Sequence, residues 1–96
     1  MMVKITHAAI SKITEEVRDI IEEGKKPLIR LSMGIGWGGP KLRLALEESA
    51  LKNDEITEQD GIGFLVNERD SVYFEKVKID YTRTMFGGGE FVVILL

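Results

Sequence analysis

The sequence has 96 residues, no cysteine and a net charge of −3 at pH 7. This length predicts one domain, residues 1–96, with one modest core. The lack of cysteine excludes disulfides and thiolate-bound metal within these residues. The sequence has no basic stretch to follow a phosphate backbone, and no apolar run approaches the ~20 residues of a membrane span. We therefore expect no nucleic acid or membrane partner, and a cytoplasmic location.

The N-terminal part of the chain predicts a short strand followed by one helix. Val3–Ile5 is the strand candidate, and Thr6 is a suitable N-cap. Apolar residues then recur at steps of three and four, as on one buried helical face. They are Ala9, Ile10, Ile13, Val17, Ile20 and Ile21. Gly24 predicts the end of the helix, because glycine accepts the left-handed conformation that often follows a helix.

Beyond Pro27 the apolar period becomes two, which is typical of strands. It predicts a strand on each side of a glycine-rich loop, residues 34–40, and further strands after the Asp60-Gly61 turn signal. The strand residues are Ile29, Leu31 and Met33; Leu42, Leu44 and Leu46; Ile62, Phe64 and Val66; Ile79 and Tyr81; and Phe91 to Leu96. One helix followed by several strands predicts a mainly β fold, a β-sandwich with the N-terminal helix packed on it.

Side chains that would predict catalysis or metal binding are not grouped along the sequence. Gly34, Gly36 and Gly39 spell G-x-G-x-x-G, but a proline and a strand-like segment follow, where a dinucleotide site needs a helix. His7 is the only histidine and is interpreted as a solvated helix residue. The acidic segment 53–60 lacks calcium-loop spacing and is interpreted as a solvated loop. We expect no catalytic, cofactor-binding or metal-binding residue, and no enzyme activity.

The candidate functional segment is the glycine-rich loop, with Gly34, Gly36, Trp37, Gly38 and Gly39. Trp37 is the only tryptophan, and two interpretations of it stay open. The ring either plugs the end of the sandwich or is an exposed anchor for a partner. Glycines on both sides remove side-chain bulk around the ring. We therefore expect a flexible or tightly turned loop, with several glycines at positive φ, that projects residue 37 towards solvent or a neighbouring subunit.

Five short motifs follow one another along nearly the whole chain. They are Ile5-Thr6-x-x-Ala9, Leu28-Ile29-Arg30-Leu31, Gly36-Trp37-Gly38-Gly39, Ile79-Asp80-Tyr81 and Gly89-Glu90-Phe91. In this order they resemble the HesB-like, or A-type, family of iron–sulfur cluster assembly proteins. The third motif corresponds to the family's Gly-Cys-x-Gly loop, and the last two correspond to its final hairpin. The resemblance implies a HesB-like β-sandwich, a role in iron–sulfur assembly, and dimers or larger assemblies.

Two departures from that family decide which function the resemblance implies. Its members ligate iron or a cluster with one loop cysteine and a C-terminal Cys-Gly-Cys tail. This sequence has Trp37 at the loop position and reaches Leu96 before such a tail. It is nearest to a short HesB-like subfamily that lacks the tail and includes selenoproteins with selenocysteine in the loop. Because the codons UGA and UGG differ by one base, tryptophan here can replace a native selenocysteine.

Three functional hypotheses follow from these residues. The first is an accessory or partner-binding protein of iron–sulfur cluster assembly that carries no cluster on its own thiolates. The second is a redox protein whose native selenocysteine or cysteine at position 37 is replaced by tryptophan. The third is an interaction module unrelated to iron. We expect protein partners, in the first case from the iron–sulfur assembly machinery. We also expect a homo-oligomer, because Phe91–Leu96 is apolar on both strand faces.

Overall fold

The computed structural model describes residues 2–37 and 39–96, which form two β-sheets and an N-terminal helical region. The strands are β1 (Met2–Ile5), β2 (Leu28–Gly36), β3 (Gly39–Glu47), β4 (Asp54–Gln59), β5 (Ile62–Asn67), β6 (Lys76–Arg83) and β7 (Gly89–Leu95). One sheet has the strand order β1-β6-β7, and the other has the order β3-β2-β5-β4. The mainly β sandwich with a helix near the N-terminus, as predicted from the sequence, is thereby confirmed.

The helical region consists of α1 (His7–Glu16) and α2 (Arg18–Glu22), not the single helix that the periodicity predicts. Thr6 is the N-cap as predicted, and its hydroxyl accepts a hydrogen bond from the Ala9 N–H at 3.2 Å. The helix is interrupted at Val17, where φ is −108° and ψ is 17°. This β-branched residue is itself buried, whereas α2 has no buried residue, so packing on the core decides the local backbone.

The core lies between the sheets and is built from the alternating residues that the period of two identifies. Ile29 and Leu31 of β2 lie beside Ile62, Phe64 and Val66 of the neighbouring strand β5, and each of these side chains is buried. The buried face of α1 packs against β6. Together these residues form one contiguous apolar cluster, as expected for a single modest core.

The acidic segment is a strand, which corrects its interpretation as a solvated loop. β4 pairs with β5 in antiparallel register from Asp54↔Asn67 to Gln59↔Ile62. The predicted Asp60-Gly61 turn joins them, with positive φ at both residues (51° and 80°). The strand lies at the edge of its sheet, and most of its polar side chains are in contact with solvent. Its sequence therefore shows no apolar periodicity that would predict a strand.

A 3₁₀ helix (Glu68–Phe74) connects β5 to β6 and buries Phe74 in the core. Its N-cap is Asn67, which accepts a hydrogen bond from the Arg69 N–H at 3.2 Å. In the described ranges, 2–37 and 39–96, no helix has the length and apolar character needed to cross a membrane.

Candidate functional site

The glycine-rich segment forms the end of the β2–β3 hairpin. The two strands stay paired up to Gly36↔Gly39, so Gly34, Gly36 and Gly39 belong to strands where the sequence predicts a loop. The side chain of Trp37, directly after β2, is 98% exposed. The interpretation of this ring as a core plug is therefore wrong, and the expected projection from the hairpin is confirmed. Gly38, the remaining residue of the predicted functional segment, lies outside the described residues.

Gly34 has a close neighbour, the flexible end of the Arg43 side chain, and no left-handed backbone conformation. Its φ is not positive, which corrects the expectation of left-handed glycines for this position. A Cβ at Gly34 would instead collide with the Nε, Cζ and Cδ atoms of Arg43. Glycine therefore lets the guanidinium of β3 lie across β2, on the outer face of the sheet.

Two cations near this end of the hairpin lack charged partners. Lys41 and Arg43 stand two residues apart on the exposed face of β3, opposite Gly34 and Ser32 of β2. Within residues 2–37 and 39–96, neither has an ion pair with a carboxylate. In the part of the chain that the structure describes, the hairpin thus combines an exposed indole ring at its end with two cations on β3 that have no ion pair.

The base of the same hairpin carries the opposite arrangement, a fully paired arginine. The Nε of Arg30 donates to Glu47 Oε1 at 2.8 Å, and its Nη1 and Nη2 donate to the two carboxylate oxygens of Asp54 at 2.9 and 2.8 Å. Asp54 also accepts from the Leu51 N–H at 2.6 Å and from Asn67 Nδ2 at 3.0 Å. Through Arg30 and Asp54 these contacts join four strands, and the side chain of Asp54 is 0% exposed.

The charges of this cluster reinforce each other's ionised form. The hydrogen bonds from Arg30, helped by those from Leu51 and Asn67, hold the pKa of Asp54 well below its usual range, although burial opposes this. The hydrogen bond to Asp54 likewise raises the pKa of Arg30. On the other sheet, the hydroxyl of Thr6 donates to Asp80 at 2.6 Å and lowers the pKa of that carboxyl.

The donor atoms of the described residues do not fit an iron–sulfur cluster or a metal ion. Clusters are held mainly by cysteine thiolates, and the sequence has none. The single histidine, His7, is exposed at the first position of α1. In the described part of the chain, no group of three or more histidine, aspartate or glutamate residues is placed to hold a metal ion.

Sequence reasoning missed Arg30, Asp54, Lys41 and Arg43. Arg30 stands in the middle of an apolar strand, and that position is the one available signal, because an arginine there needs a carboxylate partner. Its partners follow 17 and 24 residues later, beyond any local pattern. The two cations of β3 read as ordinary polar residues of an alternating strand, and only the pairing of β3 shows that they lie beside glycine.

Comparison with known proteins identifies two curated relatives of similar length. A protein of Azotobacter vinelandii, described only as encoded in the 5′ region of nifU, is 30% identical over 91 residues, which are 92% of this chain and 81% of the relative. The iron–sulfur cluster insertion protein ErpA of Marinobacter nauticus is 32% identical over 81 residues, which are 81% of this chain and 73% of that protein. No family model matches the chain.

A solved structure shares the fold. The crystal structure of IscA with a 2Fe–2S cluster superposes with a TM-score of 0.76, covering 98% of this chain and 82% of the other, at 21% identity. The likeness extends over both sheets and the helical region of the chain.

Proposed function

The chain belongs to the HesB-like, or A-type, family of iron–sulfur cluster assembly proteins, and from that premise we propose that it is an accessory protein of cluster assembly. In this proposal it binds partner proteins in the cytoplasm, is not an enzyme, and holds no cluster on its own thiolates. The observation that carries the proposal is the replacement of the family's loop cysteine by a tryptophan that is 98% exposed.

The donor set supports a role without a bound cluster. A cluster is the cargo of this family, and its iron atoms need thiolates or histidine nitrogens. This sequence has no cysteine, and its single histidine is at the start of α1, on another element from the hairpin tip. The position where the family has its loop cysteine therefore provides no thiolate or histidine nitrogen to bind iron.

The exposed ring supports partner binding. A large apolar side chain left wholly in water loses the ~1.5–3 kcal/mol that burial of such a side chain contributes. Tryptophan and arginine are the residues most enriched where a few side chains dominate a protein interface. The hairpin offers both types, because Arg43 stands on the adjoining strand β3, opposite Ser32 of β2.

The experiment that tests this proposal is cluster transfer from a loaded scaffold protein to an apo-ferredoxin, followed by visible absorption. We expect the protein to change the transfer rate while iron analysis after gel filtration finds none with it. Trp37→Ala should abolish the effect. The matched control is Phe86→Ala, which removes an aromatic ring that is 96% exposed at the tip of the β6–β7 hairpin. An unchanged transfer rate, or iron and sulfide that elute with the protein, would refute the proposal.

We also propose that the protein self-associates. Ile94, Leu95 and Leu96 are 38%, 78% and 52% exposed, and β7 lies at the edge of its sheet. An uncharged apolar edge strand pairs readily with another chain unless something covers it. A second copy is the cover that the family resemblance implies.

The exposure of position 37 also favours one alternative function. A selenocysteine or cysteine at a solvent-exposed hairpin tip would be accessible for exchange with a partner thiol. In that case the tryptophan is a recoded residue and the native protein is a redox protein of the short, selenocysteine-containing subfamily. Mass spectrometry of the peptide that contains residue 37, from protein purified from its native cells, decides between the two.

A further inference from the structure

The strand β3 has a free edge. In the described part of the chain it pairs with β2 alone, and it is the outermost strand in the order β3-β2-β5-β4. Over its nine residues, every second residue directs its backbone polar groups away from β2. Such an edge is a template for one more extended strand, a common mode of peptide recognition.

The inner face of this edge borders an open apolar groove of about 1030 Å³ between the two sheets. Leu42 and Leu44 of β3 form one wall, and Phe91 and Val93 of β7 form the other. Glu90 and Lys41 also line the groove, and no ion pair between these two described residues is present. A strand added beside β3 would place every second side chain over this apolar lining, because successive side chains of a strand alternate between faces.

The outer face of the same edge is positively charged. The other half of the added side chains would lie on the same face as Lys41 and Arg43, which are exposed and lack ion-pair partners within residues 2–37 and 39–96. The guanidinium of Arg43, which lies across Gly34 of β2, must turn towards the edge to meet them. Arg30, farther along the hairpin, is already matched by Glu47 and Asp54 and adds no free charge. The charges that complement this face are carboxylates at a spacing of two residues.

We propose that the free edge of β3 binds an extended segment of a partner protein in which apolar and acidic side chains alternate. The apolar side chains enter the groove beside Leu42 and Leu44, and the acidic ones pair with Lys41 and Arg43. The inference deepens the partner-binding role proposed above and rests on it. A second copy of this chain fits less well, because its apolar edge strand β7 has one carboxylate side chain, Glu90, and not acidic residues at a spacing of two.

The test uses two capped, fluorescently labelled peptides of nine residues, one with alternating valine and glutamate and one with alternating valine and lysine. Fluorescence anisotropy should show roughly tenfold tighter binding of the glutamate peptide, since two exposed charge pairs change from repulsive to attractive. The preference should shrink as salt is raised. Amide hydrogen exchange should slow in residues 41–46 when the glutamate peptide binds.

A charge-reversed variant supplies the control for position. Lys41→Glu with Arg43→Glu should invert the preference, and binding of the lysine peptide then shows that the variant is folded. Lys25→Glu with Lys52→Glu changes the net charge equally on exposed residues outside β3 and should leave the preference unchanged. Equal binding of both peptides, no binding of either, or protection confined to residues outside β3 would overturn the proposal.

The peptide assay contains no iron and no scaffold protein, so its outcome is separate from that of cluster transfer. Binding at β3 together with an unchanged transfer rate would refute only the role in cluster assembly. A Trp37-dependent effect on transfer without peptide binding would refute only the strand edge. Self-association that protects β3 without any peptide binding would assign the edge to a second copy, against the proposal.

Discussion

Removal of one charge from the base of the β2–β3 hairpin should destabilise the whole domain. Asp54→Asn keeps the shape of the side chain but replaces a carboxylate oxygen that accepts two hydrogen bonds with an amide nitrogen that can only donate. Asp54 accepts bonds from Arg30, Leu51 and Asn67, so the amide must face at least one donor. Arg30, whose side chain is only 12% exposed, keeps Glu47 as its single charged partner.

The size of the effect follows from burial. Breaking a buried ion pair by removing one partner costs about 3–5 kcal/mol. A domain of 96 residues has a total stability of roughly 5–14 kcal/mol at ~0.05–0.15 kcal/mol per residue. At ~4–8 °C per kcal/mol, the melting temperature should fall by roughly 12–40 °C. Urea unfolding followed by circular dichroism measures the free energy of unfolding directly.

The matched control lies on the same strand. Glu58→Gln breaks the ion pair with Lys26, in which both side chains are about half exposed (58% and 45%). This substitution should lower the free energy of unfolding by at most ~1 kcal/mol. If Asp54→Asn costs no more than Glu58→Gln, the paired arginine is not what holds the four strands together, and the reasoning from burial is wrong.

The same carboxylate gives a pH dependence with a defined sign. The folded protein holds the pKa of Asp54 below that of the unfolded chain, which is near ~3.9. The stabilisation is therefore fully present above about pH 4 and is lost as the pH falls towards the folded pKa. The gap in unfolding free energy between the wild type and Asp54→Asn should narrow below about pH 4. A gap that stays constant down to acid unfolding would contradict this assignment.

Three further predictions concern the exposed surface. Trp37→Ala should lower the free energy of unfolding in urea by less than ~1 kcal/mol. Phe64→Ala, which removes a fully buried ring, should lower it by ~3–5 kcal/mol. Equal losses in the two variants would place the tryptophan in the core. Trp37→Cys should react with a thiol reagent in the folded protein as fast as in urea, and reaction only after denaturation would contradict the exposure of the tip. In analytical ultracentrifugation at roughly tens of micromolar, the wild type should sediment as an oligomer. Ile94→Glu, at the position opposite Lys78 in the sheet, should shift the protein towards monomer. A wild type that sediments as a monomer would contradict self-association.

Much of the fold could be predicted because most of its strands bury one face. The alternation of Ile62, Phe64 and Val66 predicts β5, and that of Ile29 and Leu31 predicts β2. The exposure of Trp37 could be predicted too, from the glycines on both sides of it. In each case the signal is local, since neighbouring residues alone carry the pattern.

The rest could not be predicted, because its causes lie far apart in the sequence. β4 carries polar residues at a sheet edge and is fixed by pairing with β5, which no local pattern records. The helix break at Val17 falls inside an unbroken apolar period and depends on packing with the core. The glycine at position 34 has the pattern of a turn residue, but it lies within β2, where the side chain of Arg43 on the neighbouring strand covers it.

The two ends of the β2–β3 hairpin differ, because charged side chains are paired at its base and exposed towards its other end. At the base, Arg30 is held by two carboxylates and is nearly buried, so its charge contributes to position and not to recognition. Towards the other end, Lys41 and Arg43 of β3 are exposed, and the exposed indole ring of Trp37 follows β2. Continuous register from Leu28↔Glu47 to Gly36↔Gly39 joins the two ends. Because the base is fixed by charge-assisted hydrogen bonds and the two strands are paired, β2 and β3 can meet a partner without first losing the conformational entropy of an unpaired segment.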